Sequence, residues 1–179
     1  MNINMSPKKL RAIALVVLAW MSGSVLARGT YQEPEAFVSE AFAGKVPTAR
    51  VAWLTDAMQP EIERILGHPY VQQRVRYWQA GARSAWVLEE IGKEEPITTG
   101  IVVNQGRIET VKVLIYRENR GDEVRYPAFT GQFKGATLTP QQDLDRSIDG
   151  ISGATLSSHA VTRLARLALY LDAVTRGTK

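Results

Sequence analysis

The final stretch of the chain constrains its fold most. From Thr155 to Thr175, Leu156, Ala160, Val161, Leu164, Leu167, Ala168 and Leu171 recur at steps of three and four residues, the spacing that builds one face of an α-helix. Arg163, Arg166 and Arg176 fall elsewhere on that helix, and Gly177 ends it. A helix with a single apolar stripe buries that stripe against other elements, so the rest of the chain has to supply a surface for it.

The preceding residues read as that surface. Gln73 to Gln79 places Val75 and Tyr77 on one face, Ser84 to Ile91 carries Ala85, Trp86, Val87 and Leu88, and Gly81 between them predicts a hairpin. Pro96 introduces a strand over 97–103, and Asn104-Gln105-Gly106 makes the next turn. Arg107 to Tyr116 alternates Val111, Val113 and Ile115 with Thr110, Lys112 and Leu114. Upstream, the pattern predicts a helix over 34–43 with Phe37, Ala41 and Phe42 placed to pack, and a strand over 48–54. A second helix follows, capped by Asp56 and carrying Met58, Ile62, Ile65 and Leu66 to a stop at Gly67. Residues 28–33 are polar and expected to be loose. Charge and glycine make 116–124 a loop, 126–135 a helical turn with a stop, and 143–147 a short helix. Trp53, Trp78, Trp86 and Tyr116 are expected mostly in the core. The fold class is α+β: an antiparallel sheet with N-terminal helices and a long C-terminal helix.

Residues 1–27 have the layout of a signal peptide. Lys8, Lys9 and Arg11 precede an apolar run from Ala12, and Val25-Leu26-Ala27 suits cleavage after Ala27. The uncharged stretch 12–27 is shorter than the roughly 20 residues a membrane span needs, which favours cleavage over an uncleaved anchor. Either way the remainder is expected outside the cytoplasm, as a periplasmic protein or one on the outer face of the cytoplasmic membrane. The division is then a leader at 1–27, an N-terminal helix and strand part at 28–92, and a domain at 93–179 that carries the motif below. The leader holds three of 22 basic residues and none of the 18 acidic ones, which leaves the mature chain at 19 − 18 = +1. With no basic patch interleaved with aromatics, nucleic acid is not an expected partner. The chain has no cysteine, which excludes c-type haem attachment, thiolate-bound clusters and thiol exchange by its own residues. The two histidines form no recognisable metal site.

Asp149-Gly-Ile-Ser-Gly-Ala-Thr155 opens the final helix. A glycine turn and a hydroxyl at a helix start make a place for a phosphate, since the first amides are unpaired and the dipole favours negative charge. The plainer alternative is that Ser152 or Thr155 is only an N-cap. Five residues in the spacing Asp-x-x-Ser-Gly-Ala-Thr arise by chance about once per million positions.

This motif resembles the flavinylation site of the FMN-binding domain family. From about Lys93 to Asp172 further pieces resemble that family in order: Gly100 to Gly106, Val111 to Tyr116, Arg117-Glu-Asn-Arg-Gly121 and Phe129 to Gly135. The loop keeps Glu118 and Gly121 of a Glu-Thr-Pro-Gly pattern and has Asn119 and Arg120 between them. In that respect the chain is similar to stand-alone exported FMN-binding proteins rather than to the subunits of the sodium-pumping NADH:quinone oxidoreductase or Rnf complexes. The resemblance implies FMN joined through its phosphate to Thr155 by a flavin transferase. It also implies a single FMN-binding domain that passes electrons between a membrane or periplasmic donor and an acceptor.

The residue types fit that chemistry. Only a hydroxyl at position 155 can attack a pyrophosphate, and Gly153 and Ala154 allow close approach to the backbone. Asp149 is expected either to be read by the transferase or to form the turn. Ser152 is expected at the phosphate or as a cap, and Ser157 and Ser158 to offer main-chain N–H groups. Glu118 and Arg120 are candidates to line the flavin or to form a surface ion pair. His159, four residues after Thr155, reads as an exposed helical histidine or a phosphate contact. No catalytic residues and no dinucleotide fingerprint are found, so an electron carrier is favoured over an independent enzyme. The alternative is a periplasmic binding or sensory module in which flavin is structural or absent.

Overall fold

A computed structural model describes residues 29–177; the leader expected at 1–27 lies outside the described residues. Five strands form one antiparallel sheet in sequence order: β1 (Arg50–Trp53), β2 (Arg74–Ala80), β3 (Arg83–Ile91), β4 (Pro96–Asn104) and β5 (Arg107–Tyr116). The helices are α1 (Pro34–Ala41), α2 (Gln59–Leu66), the single turn α3 (Pro127–Thr130) and α4 (Thr155–Gly177). The protein is an α+β fold with N-terminal helices, an antiparallel meander and a long C-terminal helix.

The helix α4 lies on one face of the sheet. Ala160, Val161, Leu164, Leu167, Ala168 and Leu171 have no exposed surface and pack with Trp86, Ile97, Ile101 and Val103. Each buried leucine contributes about 1.5–3 kcal/mol, so this seam supplies much of the stability. On the other face Phe37, Val38 and Phe42 from the α1 region cover Ala85, Val102 and Leu114. Covered on both faces, β4 is buried from Ile97 to Val103, and its sequence shows a run rather than an alternation. Gly100 belongs to that packing, because a Cβ there would come within 2.6 Å of the Phe37 ring. The turn after β4 has positive φ at Gln105 (54°) and Gly106 (72°), the mirror-image turn that matches the twist of a hairpin.

Four expectations are corrected. Asp56 does not cap α2: Met58 stands at the N-cap position without a side-chain bond, while the Asp56 carbonyl accepts from the Gln59 amide at 3.3 Å. Residues 143–147 are not helical. Leu138 and Leu144 form an isolated antiparallel bridge, with Thr139 N–H to the Asp143 carbonyl at 2.8 Å and Asp145 N–H to the Thr137 carbonyl at 3.0 Å. Those bonds, and the Thr137 hydroxyl donated to the Asp145 carboxylate, compete with helical pairing. Residues 29–32 are held rather than loose. Thr30 bridges Ile115, and the Tyr31 and Gln32 amides both donate to the Leu114 carbonyl. Main-chain pairing needs no apolar pattern, and here it covers the edge of β5. Finally, Trp53 is 61% exposed on β1, whereas Trp86 is fully buried and stacked on Tyr77 at 4.5 Å.

The end of α4 is tied to the sheet by a buried polar chain. The Trp86 indole donates to Ser84 Oγ (2.8 Å), which donates to the Asp172 carboxylate (2.6 Å), and Arg176 closes the set at 2.8 Å. Every member has a partner, the condition under which such a network rigidifies a core.

His68, in the loop after α2, faces acceptors through both ring nitrogens: the Pro69 carbonyl at 3.0 Å and the Glu90 carboxylate at 2.9 Å. Two acceptors suit the doubly protonated ring. The Pro69 hydrogen bond, together with Glu90, raises the His68 pKa above its ordinary value despite burial. The resulting stabilisation is fully present below the unfolded value of 6.5 and is lost as pH rises through the folded value. We expect the melting-temperature difference between the protein and His68→Gln to be larger at pH 5.5 than at pH 8.5. Thermal melts at the two pH values check this.

Candidate functional site

The motif residues lie at the start of α4. The Ser158 amide donates to the Ala154 carbonyl at 2.9 Å, the first bond of the helical ladder, so Ala154 stands at the N-cap position. Alanine has no side chain with which to cap. By helix geometry the amides of Thr155, Leu156 and Ser157 precede the ladder and sit at the positive end of the dipole. Gly153 makes the entering turn at φ 83°, and the Ala154 amide closes it on the Ile151 carbonyl at 2.9 Å. Ser152, Gly153 and Thr155 are exposed, while Ala154 is buried. The motif therefore leaves its threonine outside and its helix uncapped.

The two serines that follow face inward. Ser158 Oγ donates to the Ala154 carbonyl at 3.0 Å and accepts from the Ile151 amide at 3.2 Å. Ser157, 4% exposed, meets Tyr116 Oη at 2.9 Å. The Tyr116 hydroxyl gives its proton to the Arg120 carbonyl at 2.5 Å, so it accepts from Ser157. Toward solvent, Ser157 offers only its main-chain amide, and the Ser158 amide is already used. His159 is exposed and does not line the cleft described below.

The loop after β5 is fitted to the motif by size. Gly121 has φ 87°, and a Cβ there would lie 2.8 Å from Tyr116 Oη and 3.0 Å from the Ala154 side chain. Glycine in the loop and alanine in the motif are thus two halves of one contact. Glu118 holds the opposite wall: its Oε1 accepts the amides of Lys93, Glu94 and Glu95 at 2.5, 2.7 and 3.0 Å. Burial pushes the Glu118 carboxyl up, but the three amides outweigh it and the pKa is lowered. Its stabilisation is present above the ordinary carboxylate range and is lost as pH falls through the lowered value. We expect Glu118→Ala to cost about 1–3 kcal/mol at neutral pH and less below pH 4, measured by urea unfolding.

Asp149 is exposed. Its main chain, rather than its carboxylate, is what the fold grips: Gln132 accepts from the Asp149 amide at 2.8 Å and donates to its carbonyl at 3.2 Å. This holds the motif against the turn after α3.

These pieces enclose a cleft of about 490 Å³ lined by Lys93, Glu94, Glu118, Arg120, Thr155 and Leu156, among others. Its size falls in the range of small-molecule and cofactor sites. Leu156, expected on the buried stripe of α4, is instead 52% exposed on the cleft wall. An exposed hydroxyl, three amides ahead of the helical ladder, two cations and an apolar side chain suit a flat ring system carrying a phosphate. Among the described residues no group of three or more metal-ligating side chains occurs.

Residues 92–170, from the turn before β4 through most of α4, match the sequence model of the FMN-binding domain. The chain carries an FMN-binding domain. No curated protein sequence matches the chain. In three dimensions the chain is similar to NqrC of Shewanella oneidensis, with a TM-score of 0.58 at 15% identity over 76% of this chain and 90% of that one. At that identity the likeness concerns the fold. The FMN-binding domain match begins where β3 ends, so β1, β2, α1 and α2 lie outside it.

Within the FMN-binding domain, sequence reasoning missed Lys93, Gln132 and the Tyr116–Ser157 pair. Lys93 had a signal, since Gly92-Lys-Glu-Glu-Pro96 is a charged turn between two strands. Gln132 and the Tyr116–Ser157 pair act across 17 and 41 positions of sequence, and no local pattern marks them.

Proposed function

We propose that this protein is an exported flavoprotein that carries FMN on Thr155 through a phosphoester bond. It acts in electron transfer at or outside the cytoplasmic membrane. The observation that carries the reading is the exposed Thr155 hydroxyl at an uncapped helix start, on the wall of a cleft within an FMN-binding domain. In the attachment step a flavin transferase directs the Thr155 oxygen onto the FMN-side phosphorus of FAD. A new oxygen–phosphorus bond forms, the pyrophosphate bond breaks, AMP leaves and the hydroxyl proton is lost.

The phosphodiester keeps one negative charge. The Thr155, Leu156 and Ser157 amides and the helix dipole stabilise it by about 0.3–1 kcal/mol, or ~2 kcal/mol where partly buried. That is too weak to retain a diffusible cofactor outside the cell, which is the advantage of a covalent link. FMN, when bound, supplies the redox chemistry. The chain's own residues position it: Leu156 offers apolar surface, Arg120 and Lys93 offer positive charge, and the Glu118-braced turn fixes the opposite wall. Electron donor and acceptor are membrane-bound or periplasmic partners that meet the open cleft.

The test is coexpression of the full chain with a flavin transferase, followed by intact mass and in-gel fluorescence of the denatured protein. One FMN per chain and a fluorescent band are expected. Colourless protein with an unchanged mass would favour the binding or sensory alternative and defeat this reading.

A further inference from the structure

β1 is an open edge of the sheet: β2 pairs on one side, and among the described residues no strand pairs on the other. Its sequence, Arg50-Val-Ala-Trp53, is short and begins with a charge, yet it leaves apolar surface open: Val51 is 47% exposed and Trp53 is 61% exposed. Natural proteins blunt such edges with short strands, charges or proline, or bury them under a covering segment. The other edge of this same sheet has such a cover, residues 29–32 on β5. β1 has none among the described residues.

Two further features adjoin the edge. A groove of about 900 Å³ runs along it, with Met58, Tyr77, Val174 and Arg50 in its lining. On the opposite face of the same two strands, Arg74 lies over the Trp53 ring at 5.8 Å and Arg76 over the Trp78 ring at 5.1 Å. The eleven residues of β1 and β2 include three arginines, Arg50, Arg74 and Arg76, and no aspartate or glutamate. Asp56 follows only after the strand ends.

The geometry points to a docking site on β1 for an extended acidic segment of a partner protein. Such a segment adds a sixth strand, places its carboxylates on the face of Arg74 and Arg76, and sets its alternate, apolar side chains on the groove face beside Met58 and Tyr77. Main-chain bonds supply affinity and the alternate side chains supply selectivity, as in other strand-addition complexes. Charge argues against a second copy, since self-pairing of β1 would bring two sets of these arginines together. The site lies beside Val174 and Arg176, at the far end of α4 from Thr155. At 1.5 Å per helical residue the separation is about 28 Å, so a partner held there leaves the flavin cleft open. The surface lies outside the FMN-binding domain match, and it holds the carrier in place rather than exchanging electrons with it.

The test is fluorescence anisotropy of a labelled hexapeptide alternating glutamate and valine, titrated with the mature chain. Binding that weakens with salt is expected, with at least a tenfold loss in the double variant R74E/R76E and in Trp53→Ser. Circular dichroism verifies that each variant is folded. Thr155→Val, which removes the flavin anchor and leaves the edge intact, is expected to bind the peptide as the parent does. Equal affinity in the folded R74E/R76E variant overturns the proposal. So does a dimer in sedimentation at the titration concentrations, or binding to phosphatidylglycerol vesicles with none to the peptide.

Discussion

Replacing Thr155 by valine is expected to abolish covalent flavin completely. Valine keeps the β-branched shape and removes the only atom that can form the bond. Thr155 is exposed at the first position of α4 and carries no core packing, so the variant should fold with a melting temperature close to that of the colourless parent. Surface changes away from special features are usually within about ±0.5 kcal/mol. The measurement is the fluorescent band of denatured protein after coexpression with a flavin transferase, scored beside intact mass. Thr155→Ser retains the hydroxyl and should keep part of the signal. Nearby Ser152 is exposed but cannot substitute if the transferase reads position rather than hydroxyl. A flavin band of undiminished intensity in Thr155→Val would move the attachment elsewhere.

Gly121→Val is expected to damage both stability and the site. The residue has φ 87°, where a side chain costs about 1–2 kcal/mol. Its Cβ would also press on Tyr116 Oη and Ala154, and overpacking typically adds about 1–3 kcal/mol. A total loss of about 2–5 kcal/mol follows, read from the urea midpoint. Because Ala154 is the N-cap residue of α4, the strain falls on the amides that precede the ladder. Flavin loading is therefore expected to fall in the fraction that still folds. Gly131→Val provides the contrast: Gly131 has φ −66° and nothing lies within 4 Å of a Cβ there, so loading should be unchanged.

Much of this architecture was legible because its determinants are local. The α4 stripe, the Asn104–Gly106 turn and the alternation in Arg107–Tyr116 each lie within one element, and the structure has them. The short run 143–147 misled because its hydrogen bonds go to Thr137 and Thr139, outside the window in which a helix is judged. Residues 29–32 misled for the opposite reason: side-chain polarity says nothing about main-chain pairing with a strand 85 positions away. At the site, the motif announced a phosphate-friendly helix start. It did not announce that Ser157 and Ser158 would turn inward, or that Leu156 would leave the apolar stripe. The role of Glu118 as a brace for the Gly92–Glu95 turn depends on contacts 23 to 25 positions apart, and these exist only in the fold.

The alanine at the head of α4 sets a limit on how far this protein can be improved. Serine or aspartate at position 154 is the ordinary way to stabilise such a helix, worth about 1 kcal/mol. Here that gain would come from the same amides that the proposed FMN phosphate would use, and from space already shared with Gly121. Selection for robustness and selection for loading thus pull on one residue in opposite directions. A search for hardier variants of this chain would rediscover the cap, and would pick out versions that refuse their cofactor.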